Sequence, residues 1–164
     1  MSFRRVLPLL ITSAAVFAAA SPSIAGGLFK SPAWLSIESP VNPYEPGTRG
    51  ALLLVHTQVV NGNAQMRELT GSAEGLVNGA RRSVALTFDS LARLNTFGVR
   101  KQWPSEGTWL LRITLRGTTA LVSLDAAGNV TSARVPTENT RDMPLPRAVT
   151  SREIDSLLAV GAKR

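Results

Sequence analysis

The side chains equipped for acid–base, nucleophilic or metal chemistry are few. His56 is the single histidine, cysteine is absent, and 11 carboxylates are scattered along the chain. A zinc or copper centre needs several lone-pair donors gathered at one point. The chain offers one histidine, His56, with Met66 and Met143 as the methionines beyond the initial Met1, so no metal centre is expected. His56 also lies within an apolar run, where a hydrogen bond to a neighbour accounts for it better than metal ligation without co-ligands. A serine hydrolase requires a nucleophile, a base and an orienting carboxylate. His56 is the only conventional base, and no G-x-S-x-G elbow occurs. Glycoside cleavage needs two carboxylates across a cleft. Glu68, Glu74, Asp89 and Glu106 are candidates, but nothing in their spacing brings a pair to the required separation. Gly75 to Gly79 falls in a hairpin pattern, without the strand-to-helix turn that aims backbone amides at a phosphate. The expectation is a protein that is not an enzyme, with no catalytic, cofactor-binding or metal residue and no cofactor.

Recognition is the chemistry that remains, and the scarce aromatic residues are its natural carriers. Trp109 alternates with apolar residues and belongs in a core. Trp103 follows Arg100, Lys101 and Gln102 and precedes Pro104, and an indole beside cations can stack on a sugar or a partner. Tyr44 is the other candidate contact, with Arg100 and Lys101 beside Trp103. Arg81 and Arg82 follow Asn78-Gly79 and are expected to be solvated. The formal charge is +7, carried mostly by arginines without a block of like charge. That distribution predicts a solvated surface and no nucleic-acid groove.

The elements that must position these side chains come after a leader. Residues 1–25 read as a secretory signal: Arg4 and Arg5 open it, an apolar run extends from Val6 to Ala20, and Ser23-Ile24-Ala25 supplies the small residues a signal peptidase accepts. Cleavage there leaves a chain starting at Gly26; a cut after Ala20 is the alternative. The apolar run is about 15 residues, short of the roughly 20 that span a bilayer, and it contains Pro8, so no stable membrane insertion is expected after cleavage. Loss of Arg4 and Arg5 lowers the formal charge of +7 by two. An exported chain without cysteine has neither disulfides nor a lipidated anchor, which points to a bacterial periplasm or exterior.

Residues 26–33 form a short extension, and from Trp34 the pattern turns to alternation in short runs. Trp34, Ser36 and Glu38 oppose Leu35 and Ile37 in a first strand, ended by Pro40, Pro43 and Pro46. Residues 51–60 are the most hydrophobic stretch of the remaining chain and read as a central strand. Asn61-Gly62-Asn63 turns into a strand over 65–77, with a bulge or kink expected near Gly71. Asn78-Gly79 makes the clearest hairpin, returning with Val84, Leu86 and Phe88 on one face. Residues 89–94 form a helical turn or a loop, and Phe97 and Val99 face inward from a strand over 96–102. Pro104 to Gly107 turns into a strand over 108–116, in which Trp109, Leu111, Ile113 and Leu115 share the core face. Two more strands, 119–125 and 130–135, complete a meander. About seven to eight strands without intervening helices leave a sandwich or a small barrel. The preferred fold is an all-β, immunoglobulin-like antiparallel β-sandwich over residues 34–135.

Residues 136–149, with Pro144 and Pro146, read as an extended linker. Thr150-Ser151-Arg152-Glu153 has the capping-box pattern, opening a short amphipathic helix over 150–164 that Gly161 is expected to stop. Ile154, Leu157 and Leu158 form its apolar stripe. So short a helix does not persist alone in water, so the stripe docks on the sandwich or on a partner.

The segment Phe97-Gly98-Val99-Arg100-Lys101-Gln102-Trp103-Pro104-Ser105-Glu106-Gly107-Thr108-Trp109-Leu110-Leu111-Arg112-Ile113 resembles the close of YtkA-like domains, where a turn leads into a G-x-W-x-[LVI]-x-[VI] strand. That resemblance implies a small immunoglobulin-like sandwich of the bacterial envelope. It transfers no metal site, because Gly26-Gly27-Leu28 stands where related copper-handling sandwiches carry histidine and methionine. The functional expectation is an exported, non-catalytic module that binds another envelope protein or serves as an accessory to it. The alternatives are a carbohydrate or small-ligand module using Trp103 and Tyr44, and a hydrolase with carboxylate chemistry.

Overall fold

The computed structural model describes residues 33–58, 68–140 and 144–162. The expected leader, its cleavage site and the turn at Asn61-Gly62-Asn63 lie outside these residues. The described chain forms β1 (Trp34–Glu38), β2 (Leu53–Gln58), β3 (Leu69–Val77), β4 (Ala80–Ala85), β5 (Asp89–Ser90), β6 (Thr96–Val99), β7 (Thr108–Leu115), β8 (Thr118–Leu124) and β9 (Val130–Arg134). A small pair comes next, β10 (Thr137–Asn139) with β11 (Pro144–Pro146), and then the helix α1 (Ser151–Gly161).

Local turn chemistry sets the hairpins. Asn78 and Gly79 have φ of 50° and 77°. Positive values at both central positions make the β3–β4 connection match the right-handed twist of its strands. Arg116 and Gly117 do the same between β7 and β8, at 47° and 89°. Arginine is an unusual left-handed residue, and here Glu68 grips its guanidinium with two bonds of 2.9 and 2.7 Å.

The strands assemble into two antiparallel sheets, β1-β2-β6-β5 and β4-β3-β7-β8-β9. The first order set against 4-3-7-8 is the strand arrangement of the immunoglobulin-like sandwich, with β9 added at one edge. Leu53, Val55 and Val99 share one core with Leu111, Ile113 and Val122 from the other sheet. No disulfide links the sheets, since there is no cysteine. Trp109 lies directly across from Gly75. A Cβ on Gly75 would stand 2.5 Å from the indole carbons, so the missing side chain is the socket for the ring. The indole N–H donates to the Glu106 carbonyl at 2.7 Å, which satisfies the buried Trp109.

The bulge expected near Gly71 does not form. β3 pairs with β7 in unbroken register from Leu69↔Leu115 to Leu76↔Thr108, while the register shift falls at Ser123/Leu124 against β9. Gly71 is small because Phe88 and Leu86 reach within 2.9 and 3.2 Å of where its Cβ would be. The segment read as an extended linker is partly ordered by pairing, Thr137↔Pro146 through Asn139↔Pro144.

Helix α1 docks on the sandwich. Ile154 and Leu158 are buried with Leu110 and Leu121 of the five-stranded sheet's outer face, flanked by Leu76, Val149 and Leu157. The capping box forms as the sequence predicts: Thr150 Oγ1 accepts from the Glu153 N–H at 3.3 Å, and Glu153 accepts the Thr150 N–H at 3.0 Å. Arg81 is not merely solvated. It bridges Glu74 of β3, at 3.2 Å, and Asp155 of α1, fastening helix to sheet. The helix ends at Gly161, as expected, and the bare Cα there also lets the chain close on Thr108, whose Cγ2 would lie 2.6 Å from a Cβ.

Gly75→Ala is expected to lower stability by about 1–3 kcal/mol, because the added methyl displaces the indole from a filled core; urea unfolding measures this. For Glu153, hydrogen bonds from Arg147 and then from Thr150 hold the carboxyl down from its ordinary 4.5 to about 2. Its contribution is therefore complete above the unfolded value and disappears as pH falls through the folded one. The melting-temperature gap between the natural chain and Glu153→Gln should be full at about pH 7 and closed by about pH 2.

Candidate functional site

One outer sheet face is covered by α1; the other is the outer face of β1-β2-β6-β5. Alternation along β1 turns Trp34, Ser36 and Glu38 outward. Their cross-strand partners on β2 are Gln58, His56 and Leu54, and β6 places Thr96 beside His56. His56 Nε2 lies 2.8 Å from Glu38 Oε2, and its Nδ1 lies 3.2 Å from the Thr96 hydroxyl. A carboxylate only accepts, so Nε2 carries a hydrogen. With both nitrogens engaged, His56 is a strut between strands, in keeping with its place in an apolar strand.

Arg93, in the turn after β5, completes a fastener. It donates to Glu38 at 3.4 Å and to Glu45 at 2.8 Å. The loop carrying Tyr44 is thereby tied to β1 and to the turn that presents Leu94. Beside this network is an open recess of about 410 Å³, with Trp34, Ser36, His56, Gln58, Leu94 and Asn95 among its lining residues. Trp34 is 61% exposed and Leu94 72% exposed. A larger depression, about 610 Å³, lies at the C-terminal end of α1 against Thr108, Ser123 and Asp125. The Asp125 carboxyl is already bound to the Asn129 side chain and backbone, which hold it below the usual range. Among the described residues, no aromatic side chain lines that depression.

The candidate contacts read from the sequence fare unequally. Tyr44 is open to solvent, 90% exposed. Trp103 is buried and presents no face to a ligand; it joins the core cluster that contains Trp109, and its indole nitrogen has no hydrogen-bond partner among the described residues. Arg100 is paired with Asp89 at 2.7 Å, and Lys101 donates to Ser105 at 2.8 Å. Ile154 and Leu158 are covered by the sheet and Leu157 is half-buried, so the helix stripe is a seal and not an open contact surface. Of the four carboxylates considered for glycoside chemistry, Glu68 holds Arg116 and Asp89 holds Arg100. Although its partial burial opposes ionisation, hydrogen bonds from Ser72, Arg81 and Ser83 keep the Glu74 carboxyl below its ordinary value. Glu106 sits in the exposed turn before β7.

Trp34 and Leu94 are exposed apolar side chains that sequence reasoning does not single out. A signal for Trp34 exists: an indole on the same parity as Ser36 and Glu38, hence on the polar side of an amphipathic strand. Leu94 gives none, because a leucine three residues after Leu91 looks like one face of a helical turn.

No protein-family model matches the chain, and comparison with curated proteins and with solved structures gives no match. Among the described residues, no helix is long and apolar enough to cross a membrane, and no three His, Cys, Asp or Glu side chains gather as a metal-holding group.

Of the 3 tryptophans, Trp34 alone is open to water, with Trp103 and Trp109 at 4% and 5% exposure. Acrylamide should therefore quench one emitting population. Trp34→Phe should shift the remaining emission to shorter wavelength and lower the quenching constant several-fold; unchanged quenching in that variant would place a different indole at the surface.

Proposed function

We infer that this chain is an exported, non-catalytic binding or accessory module of the bacterial envelope, and that its contact surface is the outer face of the four-stranded sheet around Trp34. The observation that carries this reading is the joint exposure of Trp34 and Leu94 at one recess, on a sheet face that α1 leaves uncovered. Large apolar side chains held open together mark contact sites, because leaving them wet forfeits the stabilisation of burial. Of the other contact candidates, Trp103 is in the core and Ile154 and Leu158 seal the opposite sheet, while Tyr44 stands open on the loop that Arg93 ties to β1 through Glu45 and Glu38.

The non-catalytic part of the reading is supported by how the titratable groups are used. His56 has both nitrogens occupied, and Glu38, Glu45, Glu68, Glu74, Asp89 and Glu153 each face a basic partner. Pairing of this kind gives these groups a positional role, fixing loops and strands. The likeness of residues 97–113 to YtkA-like domains, the expected leader and the lack of cysteine favour the envelope as its location.

Fractionation of cells producing the tagged full chain tests both parts. The natural chain should appear in the envelope fraction, processed to begin at Gly26, and sediment with envelope material. The double substitution Trp34→Ser with Leu94→Ser should be exported and folded yet remain in the soluble fraction. An unprocessed cytoplasmic chain, or equal sedimentation of the two, contradicts the reading.

A further inference from the structure

The chemistry of the recess narrows what it accepts. Among the described residues, its lining holds no aspartate, glutamate, lysine or arginine. The charged residues nearby are turned to one another: Glu38 accepts from His56 and Arg93, and Glu45 accepts from Arg93. An anion or a cation entering the recess therefore meets no opposite charge free to answer it, and its desolvation goes uncompensated.

The uncharged groups are free. Ser36 and Gln58 have no side-chain partner among the described residues, and Asn95 uses only its backbone carbonyl, toward Thr57. Gln58 sits directly across the strand pair from Trp34, which brings the two Cβ atoms to about 5 Å. The amide is thus within reach of anything laid on the indole. Amides and a hydroxyl both donate and accept, which suits a ligand dense in hydroxyl groups. An exposed indole supplies a flat apolar platform, and a pyranose presents a matching C–H face while its hydroxyls point sideways.

We propose that the recess binds a neutral saccharide, one sugar ring seated on Trp34 and its hydroxyls bonded to Gln58, Asn95 and Ser36. This rests on the reading that the chain is a binding module and assigns the ligand class to its contact face. Leu94 bounds the seat on another side, and the Glu38–Arg93–Glu45 fastener holds the turn that carries Leu94 and Asn95 in place.

The test is intrinsic fluorescence of the full chain titrated with cellohexaose, maltohexaose, laminarihexaose and chitohexaose, beside the anionic polymer polygalacturonate. At least one neutral oligosaccharide should give a saturable blue shift that salt does not weaken. Measured by titration calorimetry, which does not need the indole as reporter, Trp34→Ala should weaken binding roughly tenfold or more, as removal of a central aromatic anchor does, and Gln58→Ala should weaken it by a smaller factor with the melting curve unchanged. No response to any neutral sugar, a response kept in Trp34→Ala, or binding of polygalacturonate alone overturns the saccharide assignment. Sedimentation showing self-association abolished by Trp34→Ala, or a Trp34-dependent response only to an extended peptide, also overturns it. Both of those outcomes leave the binding-module reading intact, whereas equal envelope sedimentation of the natural and doubly substituted chains removes that reading independently.

Discussion

The packing of Leu53, Val55 and Val99 against Leu111, Ile113 and Val122 is the interaction on which the rest of the molecule depends. With no cysteine available, nothing covalent joins the two sheets, and apolar burial has to hold them face to face. Such burial is proportional to area and has no direction of its own. Register comes from more specific devices, chiefly the Trp109 ring filling the hollow over Gly75 and the paired left-handed turns at Asn78-Gly79 and Arg116-Gly117. Each sheet still has a second face. The single described α-helix is 11 residues long and covers part of one; on the other sheet's outer face Leu54 and Thr96 are buried, while Trp34 and Ser36 are exposed.

That division of labour is visible in the electrostatics. On the helix side, ion pairs hold parts together: Arg81 joins β3, β4 and α1, and Arg147 braces the capping glutamate. On the open side, Arg93 gathers Glu38 and Glu45 and so stiffens a loop and a turn around a recess whose described lining holds no aspartate, glutamate, lysine or arginine. Exposed ion pairs contribute little to global stability. Their effect here is positional, since they set where Leu94, Asn95 and the Tyr44 loop stand relative to Trp34.

Much of this architecture is legible in the sequence because strand alternation and turn residues are local signals. The Asn78-Gly79 hairpin, the alternation from Trp109 to Leu115, the meander of β7 to β9 and the capping box at Thr150 are all stated by neighbours a few residues apart. The features that escape such reading depend on partners distant in sequence. Gly71 and Gly75 look like weak points in a strand until Phe88 and Trp109 arrive from elsewhere to occupy the space. Gly161 reads correctly as the helix end, but its close approach to Thr108 is visible only in the fold. Trp103 stands in a run of polar residues, which says that the segment is near the surface but not which way the ring turns. The candidate site is half legible: the parity of Trp34 with Ser36 and Glu38 marks an indole on a wet face, while the presence of Leu94 and Asn95 beside it is a product of the β5–β6 turn folding back. The pairing of β10 with β11 is hidden by two prolines, which do not exclude a short ladder at a sheet edge.

The docking of α1 over Leu110 and Leu121 also has a temporal side. In chain order the helix comes after every described strand, so the sheet it seals is synthesised first and stays bare until residues 151–161 have been added. Until the helix is in place Leu110 and Leu121 have no apolar cover on that face. A chain cut upstream of Thr150 would lack the cover over Leu110 and Leu121 and leave an apolar patch on an otherwise complete sheet.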